Sequence, residues 1–104
     1  MQYTDFSRKQ ANVLYAAHKS GKIRLSKEAI KRIYGLADSM YINDDYRDAE
    51  FRDKCKAAVD AYFNGDEMEL NFIASWIIDY TAPLVYDDEK DRYVAGKPTF
   101  EEVA

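Results

Sequence analysis

One cysteine and one histidine in 104 residues leave little room for several kinds of chemistry. With Cys55 alone, no disulfide can close within the chain, and a lone thiol fits a reducing compartment. A Cys–His nucleophile pair would have to be Cys55 with His18. Cys55, however, falls on the apolar stripe of a predicted helix, where a free thiol is an inert small hydrophobe. His18 sits beside Lys19 at a predicted helix end, where an imidazolium complements the dipole. Four scattered glycines build no phosphate loop, and no spacing of Cys, His, Asp and Glu makes a metal-ligand set. The longest strongly apolar run, Phe72 to Ile78, is interrupted by Ser75 and is too short to span a bilayer. Met1 opens directly into polar sequence without the apolar stretch of a signal peptide. The expectation is a soluble cytoplasmic protein with no catalytic residues, no metal, no cofactor and no membrane role.

What the chain does have is charge sorted by position. Residues 1–35 carry eight Lys or Arg against two acids, whereas residues 36–104 carry seven against seventeen. Such a division implies two different partner surfaces, or one end of the molecule facing the other in the same copy or a neighbour. Nine tyrosines dominate the aromatics, and each offers apolar area with a hydroxyl that can stay wet, which suits a small core or an interface.

Periodicity near 100° per residue predicts four helices. The first starts near Thr4 or Asp5 and stops at Ser20-Gly21, with Phe6, Gln10, Val13, Leu14 and Ala17 on one side. Ser26 caps a second over about 27–41, its apolar face built from Ile30, Ile33, Leu36, Ala37, Met40 and Tyr41. Gly35 interrupts this pattern, which suggests a close helix contact there. Asn43-Asp44-Asp45 opens a third helix ending at Asn64-Gly65, with Phe51, Cys55, Ala58, Val59 and Tyr62 inward. Its charges read as i, i+4 pairs, Asp48 with Arg52 and Glu50 with Lys54. The fourth, about 67–80, is apolar nearly all round and is expected at the centre of the fold or at a subunit interface.

Beyond Pro83 the period shortens. Leu84-Val85-Tyr86 and Arg92-Tyr93-Val94 read as a hairpin around the charged turn Asp87–Asp91, and Lys22-Ile23-Arg24-Leu25 alternates well enough to add a third strand. Residues 95–104 read as a flexible tail on a single domain spanning 1–94. The predicted fold is therefore mostly α: a compact four-helix bundle with a short C-terminal β-hairpin, or a small three-stranded sheet.

Three surfaces stand out. Arg8, Asn12, Tyr15 and Lys19 recur at helical spacing, and Lys22, Arg24, Lys27 and Lys31 extend them into a basic ridge suited to phosphate and stacking contacts. Asp44, Asp45, Asp87, Asp88, Glu89 and Asp91 form an acidic patch. Two carboxylates a turn apart at Asp44/Asp48 superficially suit a hard cation, but dipole complementation at a helix start explains them more simply. Phe72 and Trp76 are the candidate oligomer contacts.

The reading favoured is a non-catalytic protein-binding accessory or inhibitor protein. A phage or mobile-element origin and a nucleic-acid-handling target, of the anti-restriction or anti-CRISPR kind, suit this composition. The alternative is a DNA- or RNA-binding regulator using the basic third, since the element order is that of a winged helix with one helix inserted. Acids at its would-be recognition helix and wing argue against it. A third reading pairs basic and acidic ends between copies of a homo-oligomer.

Overall fold

The computed structural model describes residues 6–38 and 46–100, and the side chains of all of these except 46–48. Helices α1 (Arg8–Lys19), α2 (Lys27–Asp38), α3 (Tyr46–Asn64) and α4 (Glu67–Tyr80) precede strands β1 (Leu84–Asp87) and β2 (Arg92–Ala95). Thr4, Asp5, Met40, Tyr41, Asn43, Asp44 and Asp45 lie outside the described residues.

Local chemistry accounts for the helix ends. Ser7 precedes α1, its amide donating to Gln10 Oε1 at 2.8 Å, so this helix starts later than the sequence predicts. At its other end the Gly21 amide donates to the His18 carbonyl and that of Lys22 to the Ala17 carbonyl. Gly21 takes φ +82, and the two bonds form a Schellman closure. The same pair of bonds recurs after α3, from Gly65 (φ +70) to Tyr62 and from Asp66 to Ala61. Ser26 Oγ accepts from the Ala29 amide at 3.1 Å and Asp66 Oδ1 from the Glu69 amide at 3.1 Å, capping α2 and α4. Thr81, buried after α4, donates its hydroxyl to the Ile77 carbonyl at 2.7 Å.

The helices close a ring in which α1 lies against α2 and α3, and α4 against α3 and α2. Phe6, Leu14, Leu25, Ile33, Phe51, Cys55, Ile73 and Ile77 fill its middle, each buried. Full burial of such side chains contributes about 1.5–3 kcal/mol apiece as an upper figure. α4 is one side of this ring, so of the two places expected for it, the centre of the fold or a subunit interface, it does not take the first. Only Leu70, Ile73, Ala74 and Ile77 of α4 are buried. Residues four apart on a helix are offset by about 40°. The row Met68, Phe72, Trp76, Tyr80 therefore winds from solvent toward the core: 84% exposed, 65% exposed, then two half-buried rings.

Three further expectations are corrected. Gly35 is exposed, and a Cβ there would meet nothing within 4 Å among the described residues, so no close contact with another described helix explains it. His18 is wholly buried, and its Nδ1 accepts from the Leu25 amide at 3.1 Å. A nitrogen that accepts carries no proton, so the ring acts as a neutral brace for the α1–α2 connection and not as a dipole-paired imidazolium. Lys22–Leu25 does not join the hairpin, whose sheet has two strands only among the described residues.

The segment after β2, expected as a loose tail, returns to the start of α2. The Lys27 amide donates to the Thr99 carbonyl at 2.7 Å, the Thr99 amide to Glu28 Oε2 at 3.1 Å, and Ser26 bridges Phe100 in antiparallel fashion. Arg24 lies 4.0 Å over the Phe100 ring. The α2 start offers unmet N–H groups that an extended segment can satisfy, which is why the chain docks there.

Candidate interaction surfaces

The residues of the expected basic ridge lie on α1, on the α1–α2 connection and on α2. Arg8 Nη1 contacts both Asp38 carboxylate oxygens at 2.7 and 2.8 Å and lies over the Tyr34 ring. That hydrogen bond holds the guanidinium above its ordinary pKa. Asn12 Oδ1 accepts from the Tyr34 hydroxyl at 2.6 Å, and Tyr15 meets the same ring edge-on. Burial pushes the Tyr34 hydroxyl up in turn. Lys19 sits over Tyr15. Arg8, Asn12 and Tyr15 thus meet Tyr34 in a seam between α1 and α2, while Arg8, Asn12 and Lys19 stay exposed to solvent. Arg24 is held by Phe100. Lys22, Arg24, Lys27 and Lys31 are exposed around the α2 start, Lys27 and Lys31 one turn apart.

Of the acidic patch, the described part is the hairpin turn. Asp87 Oδ1 accepts from the Glu89 and Lys90 amides at 3.0 and 3.3 Å, and the Tyr86 hydroxyl donates to Asp91. Asp91 adopts φ +51, left-handed for a non-glycine residue and tolerated best by Asp and Asn. Asp88 and Glu89 project into solvent. On α3, Arg52 reaches Asp53 at 3.5 Å and Lys54 lies over Trp76, while the Asp48 side chain is outside those described. Among the described residues, no three His, Cys, Asp or Glu side chains could hold a metal ion. None of the described helices is long and apolar enough to cross a membrane.

Phe72 and Trp76, the candidate oligomer contacts, differ in their surroundings. Phe72 is open, whereas Trp76 stacks on Tyr80 at 4.9 Å, which stacks on Phe51 at 5.2 Å. Arg32 sits 5.7 Å from both Tyr80 and Phe51, so a three-ring column with cations at its side joins α2, α3 and α4. Its signal in the sequence is the Trp76–Tyr80 spacing of four, of which sequence reasoning picked out Trp76 alone, as an oligomer contact with Phe72.

Sequence reasoning also missed an exposed hairpin face. The register pairs Leu84 with Ala95, Val85 with Val94, Tyr86 with Tyr93 and Asp87 with Arg92. Alternation puts Leu84, Tyr86, Tyr93 and Ala95 on one side. Leu84, Tyr86 and Tyr93 are 69%, 49% and 68% exposed, with the two tyrosines packed edge to face at 5.4 Å. Phe63 and Met68 add further open apolar area at the α3–α4 junction. Comparison of the chain with protein-family models, curated proteins and solved structures finds no match to any of them.

Proposed function

We propose that this chain is a small, non-catalytic protein-binding protein that acts as an accessory or inhibitor. The observation that carries the reading is the solvent-facing apolar side of the hairpin, where Leu84, Tyr86 and Tyr93 are left open beside acidic side chains. Tyrosine-rich apolar patches with charged rims are what protein interfaces are made of. Net charge of −4 and the exposed Asp88 and Glu89 favour a basic partner, and proteins that handle nucleic acid are basic where they hold phosphates. An anti-restriction or anti-CRISPR type of target is proposed on that complementarity. Self-association through Phe72 belongs to the same class of activity.

Direct nucleic-acid recognition has less support, since Arg8 is paired with the carboxylate of Asp38, which offsets its charge toward a phosphate. The test is affinity capture with the tagged chain, with and without nuclease, followed by purification of the captured protein and binding at rising salt. The expected complex survives nuclease and physiological salt, and loses at least about tenfold in affinity on Tyr86→Ala with Tyr93→Ala. A nanomolar, sequence-selective DNA or RNA complex destroyed by Lys27→Glu with Lys31→Glu would replace this function with the regulator.

A further inference from the structure

We propose that the outer edge of β1 takes an extended, cationic segment of a partner protein as a third strand of the hairpin sheet. This rests on the protein-binding function above and names the place and the chemistry of contact. The Gly96 amide donates to the Pro83 carbonyl at 2.7 Å, which makes Pro83 and Gly96 a hydrogen-bonded pair and sets the phase of the ladder. Pairs alternate along an antiparallel ribbon, so Val85/Val94 and Asp87/Arg92 bond inward. Leu84 and Tyr86 turn their N–H and C=O groups outward from β1, and Tyr93 and Ala95 turn theirs outward from β2. Among the described residues no further strand pairs with either edge.

Charge chooses between the two edges. β1 runs into Asp87-Asp88-Glu89, whereas β2 follows Lys90-Asp91, whose carboxylate is taken by the Tyr86 hydroxyl of β1, and begins with Arg92. Lysine and arginine on an edge repel a cationic strand and are a common guard against stray pairing. β1 has no such guard along its four residues, and Pro83, whose ring nitrogen faces Gly96 across the ladder, leaves the outer edge open. An incoming strand would place alternate side chains over Leu84 and Tyr86, and its cations beside Asp88 and Glu89. A guanidinium also gains from lying over a tyrosine face. Strand addition of this kind draws affinity from main-chain bonds and selectivity from alternate side chains. Four residues of edge offer few such bonds, so a short isolated peptide binds weakly and the acids decide its sign.

The probe is a short peptide alternating arginine and valine, with a glutamate–valine peptide as its counterpart. Both are titrated into the full ¹⁵N-labelled chain. The expected result is that the Leu84 and Tyr86 amides shift and exchange with solvent at least about tenfold more slowly, while the Tyr93 and Ala95 amides keep their rates. The glutamate peptide binds at least about tenfold more weakly, and Asp88→Asn with Glu89→Gln narrows that gap. Leu84→Pro removes one outward N–H without touching a ladder bond and weakens the arginine peptide. Equal binding of the two peptides, or slowing confined to Tyr93 and Ala95, overturns the proposal. So does slowing at Leu84 and Tyr86 that grows with protein concentration alone, which assigns the edge to a second copy. Should the peptides fail while Met68→Glu with Phe72→Glu abolishes capture of a protein partner, the protein-binding function stands and the β1 site falls.

Discussion

Gly35→Ala should make the protein more stable, by about 1 kcal/mol, because alanine is the better residue in a helix interior by about that amount. Gly35 lies inside α2, on its exposed side, and the added methyl meets no atom of a described residue within 4 Å. Neither packing nor strain therefore opposes the propensity gain. In a domain of this size a gain of that order raises the melting temperature by about 4–8 °C. Two other glycines supply the control, since a Cβ at Gly21 or Gly65 also enters open space. Their φ values of +82 and +70, however, belong to the left-handed region. There alanine costs about 1–2 kcal/mol. The same methyl in equally empty surroundings should thus stabilise at one site and destabilise at two, and backbone conformation alone sets the sign. Thermal melts and denaturant titrations with unchanged slope measure all three variants. A loss of stability in Gly35→Ala would refute the reasoning, since it would mean that a neighbouring element approaches this face of α2.

Ile33→Ala and Ile77→Ala, which empty volume in the middle of the ring, should each cost about 2–5 kcal/mol. Lys22→Ala and Asp88→Ala, on the surface, should stay within about 0.5 kcal/mol of the parent; melts in the reverse order would overturn the helix phases. Burial pushes the Cys55 thiol up, so an aromatic disulfide reagent should react only as the chain unfolds, and immediate stoichiometric reaction of native protein would contradict this. The Glu28 carboxyl is held below its ordinary value, first by the hydrogen bond from the Thr99 amide. A depressed folded value gives a contribution that is present above the unfolded value and lost as pH falls through the folded one. The Thr99 amide should accordingly lose protection below about pH 4.3, the ordinary glutamate value. Glu28→Gln should flatten that profile, and loosening on the alkaline side would sink the assignment.

The parts of the fold that could be read from sequence are those written in local chemistry. α4 runs over the predicted residues because Asp66 caps it and Pro83 follows it closely. Gly21 and Gly65 close helices because each is the residue that takes a positive φ most cheaply. Leu84–Tyr86 and Arg92–Val94 announced the hairpin by composition and period. What escaped was set by contacts between distant positions. Arg8 meets Asp38 thirty residues away, and no count of charges along α1 shows that its ridge faces Tyr34. The docking of Thr99 on Glu28 spans 71 residues and leaves no mark in a segment that reads as a tail. For α4, an all-round apolar pattern cannot tell a central helix from one that keeps Met68 and Phe72 in solvent, because periodicity records side chains and not neighbours. The hairpin face escaped for the same reason: alternation identifies a strand, but only the absence of a covering helix among the described residues makes Leu84 and Tyr86 a surface.

Both feet of the hairpin are pinned to the helices, one at Thr81 on the end of α4 and the other at Thr99 on the start of α2. A ribbon anchored at two points has already met most of the entropic cost of closing its loop. Its residues can then change without unfastening anything below. The turn between β1 and β2 is in that sense a socket. Other sequences of similar length could be seated there while the ring of helices keeps its shape, and new binding preferences could arise without a toll on folding.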